Sequence, residues 1–523
     1  RLWTKSNSKK IGKTIAVVYC VKNISTAEQF CHDILNSNIK RAKALVNIVM
    51  SLGSETTARN PTHLSLSPFF QYHYSITGKV MKELGEDLNA ADSLKLKSEL
   101  HQVFFEKMPL QSEYKLSTDF TTIRKPESPT LEGRGFVNIP NVRIYGNKPI
   151  DIGYYISCLN LHLYDASHPI PWSIPLDNQR VDVQADKISV AVQQLSDLLS
   201  DKNLPFAQSE KIVNTADTGY TVPEFISPLI DKFDNMLLIN RIRYGMKVYK
   251  PYTGKQKKTG RKKEYESDPY YLQTERERMF THPKTKERFS KAQRPIFDLK
   301  VDETVIYETT LAKGRKIIVH IDRWNDILLH GKNDYKMDDK PFDLTCIRFI
   351  DKQTGAYLFK REMFVGVWGK NRRTHTTLET QTDYKHRYDI EPHNRFSKQQ
   401  LLADKYQTSD VQSLDAWLWT VLLTFWLLYF SSTDTEVCVQ PWEKYLPEVK
   451  RASQSGERKS AAMTRKGAKT LFSTFDTRPF KPQESKNGRG RKKGTVLTKK
   501  PRWTPKRKIK NEQNCKQNIE QIK

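Results

Sequence analysis

Ala416-Trp-Leu-Trp-Thr-Val-Leu-Leu-Thr-Phe-Trp-Leu-Leu-Tyr-Phe430 runs for fifteen residues without a charge, and a helix built on it has no polar side to give to water. Spanning a bilayer takes about 20 such residues. The run therefore predicts a helix buried on all sides, with the rest of the chain folded around it, and no membrane attachment. There is material for that. The chain has 523 residues, 37% of them hydrophobic, enough for real cores in roughly two to four domains.

Charge narrows the class of partner. A net charge of +28 and a pI near 9.6 call for a polyanion, because so much positive charge otherwise repels itself. From Arg451 onward 22 Lys and Arg stand against 5 Asp and Glu, so the tail exaggerates the basicity, but the body is basic too. Cys20, Cys31, Cys158, Cys346, Cys438 and Cys515 have neither C-x-x-C spacing nor the density of a disulfide scaffold, which predicts a reduced, cytoplasmic protein. The apolar stretch Ile15–Cys20 is shorter than a signal-peptide core. The twelve histidines show no zinc spacing, and the lack of a Walker-type glycine loop argues against an ATP-driven enzyme.

The first hundred residues read as helices. Ile39, Ala42, Leu45, Ile48, Val49 and Leu52 mark one from Asn38 to Leu52; Ser67-Pro68 opens a second that Gly85 ends; a third begins at Ser93. A helical domain over 1–110 either contacts DNA or supports the next domain, and no helix-turn-helix pattern decides between these. From Glu113 the pattern is α/β. Strands at Tyr114–Phe120, Ile150–Leu163, Lys211–Ala216 and Asn235–Arg243 alternate with helices at Lys187–Ser200 and Pro223–Phe233. After a basic loop over Lys250–Lys263, further strands are predicted at Thr304–Thr310, Lys316–Ile321, Leu344–Ile350 and Tyr357–Phe364. The expected organisation is a core over 111–249 and 371–446, a β-rich insertion over 250–370, and a disordered basic tail over 447–523.

Tyr384, Arg387, Glu391 and Lys398 stand at offsets 0, 3, 7 and 14. At about 100° per residue they fall within about 60° of one another on a helix, so one face presents a carboxylate between two cations and a phenol. Such a surface suits a metal ion and a DNA phosphate; a solvated helix face with Arg387 and Glu391 as an i, i+4 ion pair is the plain alternative. Two acids close predicted strands upstream, Asp119 and Asp217, and strand ends are where α/β sheets bind ligands. Three carboxylates gathered there suit two Mg²⁺ ions. One would ready a water or 3′-hydroxyl and the other stabilise the leaving oxygen of a phosphodiester.

The spacing Y-x2-R-x3-E-x6-K at Tyr384, Arg387, Glu391 and Lys398 resembles the signature of bacterial insertion-sequence transposases that carry a DDE triad on an RNase H-like fold. Asp217-Thr-Gly-Tyr220 is similar to that group's D-x-G-Y/F motif, and Asp119 stands where the first Asp would. Arg134-Gly-Phe136 and Tyr145-Gly-Asn-Lys-Pro149 resemble the segment after the first Asp in the cyanobacterial-type branch. The resemblance covers about Leu64 to Tyr445, with acid separations of 98 and 174 residues that suit the group, whose long second interval houses a β-rich insertion. It implies metal ligation by Asp119, Asp217 and Glu391, with Mn²⁺ able to replace Mg²⁺. Tyr384, Arg387 and Lys398 would contact phosphates of the transposon end. Tyr220 would stack on a displaced base or serve as a core aromatic. The implied activity is cleavage at element ends and strand transfer into target DNA, by a homodimer on DNA in the bacterial cytoplasm at the nucleoid.

Pro392 departs from that pattern. Inside a helix proline removes a backbone hydrogen bond, which predicts a helix starting at Pro392 with Glu391 as its cap, Tyr384 and Arg387 on a preceding turn, and reduced activity. The basic segments Arg489–Lys493 and Lys499–Lys510 either add sequence-independent DNA affinity or are an idle extension. Two rival readings remain: a DNA-binding protein that keeps the fold without the chemistry, and an RNase H-like nuclease that cuts without joining.

Overall fold

The computed structural model describes residues 24–139, 149–163, 171–479 and 494–507, apart from 257–258, 261, 267, 283–284, 312–313, 333, 439–440, 447–448, 450–456 and 497–498. Ile15–Cys20, Tyr145–Lys148, Arg489–Lys493 and residues 508–523 lie outside the described residues.

Four helices lead in: α1 (Thr26–Asn36), α2 (Ala42–Ser54), α3 (Ile76–Leu88) and α4 (Ser93–Phe105). Then come β1 (Glu113–Arg124), β2 (Gly135–Asn138), β3 (Ile150–Leu163), β4 (Trp172–Val181), α5 (Lys187–Ser200), β5 (Lys211–Ala216), α6 (Pro223–Lys232) and β6 (Met236–Ile242). Five short strands come next, β7 (Lys247–Val248), β8 (Tyr270–Tyr271), β9 (Glu277–Thr281), β10 (Arg288–Ala292) and β11 (Arg294–Pro295), and four longer ones, β12 (Glu303–Thr310), β13 (Lys316–Ile327), β14 (Phe342–Asp351) and β15 (Met363–Trp368). The chain continues with α7 (Thr377–His386), α8 (Ile390–Gln399), α9 (Val411–Ser431) and the helix Ala461–Phe472.

A ten-stranded mixed sheet runs β12-β13-β14-β15-β6-β5-β1-β3-β2, with β4 also on β3. β1, β5 and β6 are parallel, and β3 is antiparallel to β1. The central strands are covered on both faces, which is why Ile212, Val213 and Met236–Ile239 are all buried rather than alternating. Through β15, paired antiparallel to β6, the block expected as an insertion extends the same sheet and covers an edge that would otherwise be open. Tyr357 makes one isolated bridge to Ile350, and the last of these strands starts at Met363.

The apolar run forms most of α9, which reaches 21 residues and is capped by Asp410, accepting from the Ser413 N–H at 3.0 Å. By length and composition α9 could cross a bilayer, yet every residue from Trp417 to Phe430 is buried inside the protein. α1, α2, α3, β4 and the helix Ala461–Phe472 surround it. Its polar atoms are satisfied locally. Trp417 and Trp426 donate their indole N–H to the carbonyls of Leu402 (3.0 Å) and Pro175 (2.7 Å), and Thr420, Thr424 and Ser431 return hydroxyls to carbonyls one turn back.

The N-terminal helices α1, α2 and α3 therefore spend their apolar faces on α9. Gly85 does not end its helix. α3 runs on to Leu88, and a Cβ at Gly85 would lie 2.4 Å from the Gln412 carbonyl oxygen, so the glycine permits close approach of α3 to the start of α9. Gly85→Ala should lower stability by about 1–3 kcal/mol, seen as a lower urea midpoint. Gly78→Ala on the same helix, with nothing within 4 Å of its Cβ, should lower it not at all.

The tail is also corrected. Within the stretch expected to be disordered, the helix Ala461–Phe472 buries Thr464, Ala468 and Phe472, one turn apart, while the buried Arg465 donates to the Leu52 carbonyl (3.2 Å) and to Gln400 (3.1 Å). Three apolar-facing positions in a basic background are too few to stand out as a period. Farther on, the Trp503 N–H donates to the Pro129 carbonyl (2.8 Å) and that of Lys506 to the Arg134 carbonyl (2.7 Å), so this part of the basic segment lies along the core. Arg134 is buried and binds the Lys125 and Trp503 carbonyls.

Candidate active site

Thr118 of β1 pairs with Ala216 of β5 in parallel register, so Asp119 and Asp217 stand side by side. Asp119 does not close its strand as expected, because β1 runs on to Arg124 paired with β3, whereas Asp217 follows the end of β5. β5 ends there: the Asp217 carbonyl accepts the Tyr220 N–H (3.0 Å) in a 3-10 turn. The third acid arrives from α7 and α8. α7 opens with a capping box between Thr376 and Glu379 and is anchored by Lys115 to Asp383 (2.7 Å) and by the Tyr307 hydroxyl to Gln381 (3.1 Å). A 3-10 turn, Arg387–Asp389, joins it directly to α8.

Pro392 is the third residue of α8, whose N-cap is Asp389. N–H groups of a first turn have no partner inside the helix, so proline costs no bond there. The helix expected to start at Pro392 is corrected to one starting at Ile390, with Glu391 in its first turn. Tyr384, in α7, and Arg387, in the 3-10 turn, do precede the helix that carries Glu391 and Lys398.

Arg387 stands at the centre. Its Nη1 is 3.6 Å from Asp119 Oδ2 and its Nη2 is 3.7 Å from Glu391 Oε1. The guanidinium lies 4.3 Å from the Tyr388 ring centroid and 5.7 Å from that of Tyr384. Burial raises the carboxyl pKa of Asp119; Arg387 opposes this, while the charges of Asp217 and Glu391 push it up further. All three acids thus share one electrostatic neighbourhood. Lys398 joins them from the next turns of α8: its ammonium donates to Thr121 Oγ1 at 2.5 Å, two residues beyond Asp119 on the same face of β1, and burial lowers its pKa against the attraction of Cys158, Asp404 and Asp119.

Two of the expected contact residues are buried beneath the site. Tyr384 is fully buried among Val213, Leu237 and Ile239, with its pKa raised by desolvation, so it is a core residue and cannot reach a phosphate from there. Tyr220 is buried too, stacked on Phe120 (5.3 Å, 9°) and edge-on to Phe225 (5.0 Å), which is the core role of its two alternatives. Thr121 and Tyr388 belong to the site although no motif marked them. The signal for each was adjacency: Thr121 is i+2 from Asp119 on a strand, and Tyr388 is the residue after Arg387.

Three carboxylates from adjoining elements are the hard oxygen donors that Mg²⁺ takes, so the residue types fit such an ion. Among the described residues, however, no three His, Cys, Asp or Glu converge closely enough to ligate one; a guanidinium stands between two of the three.

Behind the site His162 is buried with neither ring nitrogen hydrogen-bonded among the described residues, and desolvation lowers its pKa to about 4. The unfolded chain takes up this proton below about pH 6.5, the folded one only near 4, so stability present above 6.5 is lost as pH falls through that window. The urea midpoint should drop between pH 7 and pH 5, and His162→Phe should reduce the drop, by up to about 1.4 kcal/mol per pH unit.

No protein-family model and no curated protein matches the chain. Among solved structures it is similar to one described as the cryo-EM structure of a piggyBac transposase synaptic complex with hairpin DNA, with a TM-score of 0.32 and 9% identity over 88% of this chain and 77% of that one. At that distance the likeness does not bear on the chemistry of the site.

Proposed function

We propose that this chain is a DNA transposase of the DDE type with an RNase H-like core, in which Asp119, Asp217 and Glu391 are the catalytic carboxylates. The observation that carries the reading is the gathering of all three acids around Arg387, with Lys398 of the same signature tied to β1 beside them. The three carboxylates would hold two Mg²⁺ ions, with Mn²⁺ as substitute, which supply Lewis acidity at the reacting phosphate. Asp119, within β1, and Asp217, just past the end of β5, are set by the sheet, whereas Glu391 is carried by a helix and is 56% exposed in its side chain. The exposed acid is the one that can adjust to a DNA backbone. Lys398 offers a point charge beside the reacting strand, and the basic surface supplies salt-sensitive DNA affinity. Element-end binding, transfer into target DNA, a homodimer on DNA and action at a bacterial nucleoid belong to the same proposal.

The test is incubation of the full chain with Mg²⁺, a plasmid and a pre-cut oligonucleotide taken from the DNA flanking the coding sequence. Joined products are expected. Cleavage without joining would favour a nuclease, and DNA binding without cleavage a non-catalytic binding protein.

A further inference from the structure

Arg387 is oriented unlike a residue that grips DNA. Its side chain is 5% exposed, and its fork points at Asp119 and Glu391 instead of at solvent. Nor is it held as a permanent structural ion pair would be: both separations, 3.6 and 3.7 Å, exceed hydrogen-bonding distance, and the buried Nε has no partner among the described residues. What flanks the side chain are the Tyr388 ring at 4.3 Å and the Tyr384 ring at 5.7 Å, and the nearer, Tyr388, is a face that a guanidinium can follow while keeping its attraction. Tyr384, Asp119, Asp217 and Tyr388 all act on the Arg387 charge.

We propose that Arg387 is a positioning residue that substitutes for the divalent ion: it holds Asp119 and Glu391 together in the ion-free protein and withdraws along Tyr388 when the ion enters. This rests on the transposase reading. Like charges at close range repel, and one cation between them removes the penalty. A guanidinium is wide and singly charged, so it spaces the carboxylates too far apart for ligation, which accounts for acids that share a field yet do not converge. A divalent ion brings twice the charge in a smaller volume and draws them in. The guanidinium then competes with the ion for the same carboxylates.

The competition gives a signature that a phosphate contact would not. Arg387→Gln should lower the thermal unfolding midpoint of the full chain in EDTA by several degrees, and excess Mg²⁺ should close most of the gap to the native protein. In calorimetric titration Mg²⁺ should bind R387Q about tenfold more tightly than the native chain. Arg387→Lys, which keeps the charge without the fork, should fall between in both measurements, and it carries the comparison if R387Q folds in neither buffer. A gap that is the same in EDTA and in Mg²⁺, with an unchanged Mg²⁺ Kd, would overturn the proposal while leaving the transposase reading intact. A native chain and variants that all fail to bind Mg²⁺ would overturn the reading itself.

Discussion

Asp119→Ala is expected to remove both cleavage and joining, by a factor on the order of 10³ or more, the scale on which losing one member of a catalytic constellation acts. Asp119 sits mid-site, flanked by the charges of Arg387, Asp217 and Glu391, so no other group can take its place. On the proposed reading the three acids work as one unit, so Asp217→Ala should cost about as much, and the double variant little more than either single one. DNA binding should change little, since the basic surface is untouched. The measurement is product formation on the pre-cut oligonucleotide set against DNA affinity by fluorescence anisotropy. Joining by Asp119→Ala at more than a tenth of the native rate would remove Asp119 from the chemistry.

The second large effect is on stability. Trp426 packs against Phe104 (4.8 Å), His101 (5.8 Å), Phe30 (6.4 Å) and, through its indole N–H, the Pro175 carbonyl at 2.7 Å. Helices α1 and α4 and strand β4 meet α9 on this one ring. Trp426→Ala should cost about 3–5 kcal/mol from lost burial and the cavity, and it also leaves the Pro175 carbonyl unpaired. Against a total of about 5–15 kcal/mol this threatens folding. Trp426→Phe keeps much of the ring and should retain a cooperative urea transition at a lower midpoint. An unchanged midpoint for the alanine variant would show that α9 is not the keystone of the fold.

Much of the fold was legible where local pattern and tertiary demand agree. β3, α5 and β5 have the bounds read from their composition, since caps and apolar runs there coincide with what the sheet needs. β4 escaped because Pro175 and Asp177 interrupt its alternation; a bulge beside Leu159 and Asn160 of β3 absorbs the irregularity. The helix Ala461–Phe472 escaped because its burial depends on α2 and α9, elements far away in the chain. For the site, residue types were visible in the spacing of Arg387, Glu391 and Lys398, but direction was not. Whether an arginine faces DNA or faces two carboxylates is decided by the position of β1 relative to α8, and no local periodicity contains that information.

The enclosure of α9 also has a consequence for how the chain is made. α1, α2 and α3 are made well before the helix that covers their apolar faces, which begins at Val411, and its last cover ends at Phe472. During synthesis the early helices must wait, with hydrophobic surface exposed, until the chain through Phe472 has left the ribosome. Truncation at about residue 450 to remove the basic tail would therefore yield a chain that cannot complete its core. Chaperone dependence during expression is the expected cost of an architecture whose early and late helices meet on its most apolar helix.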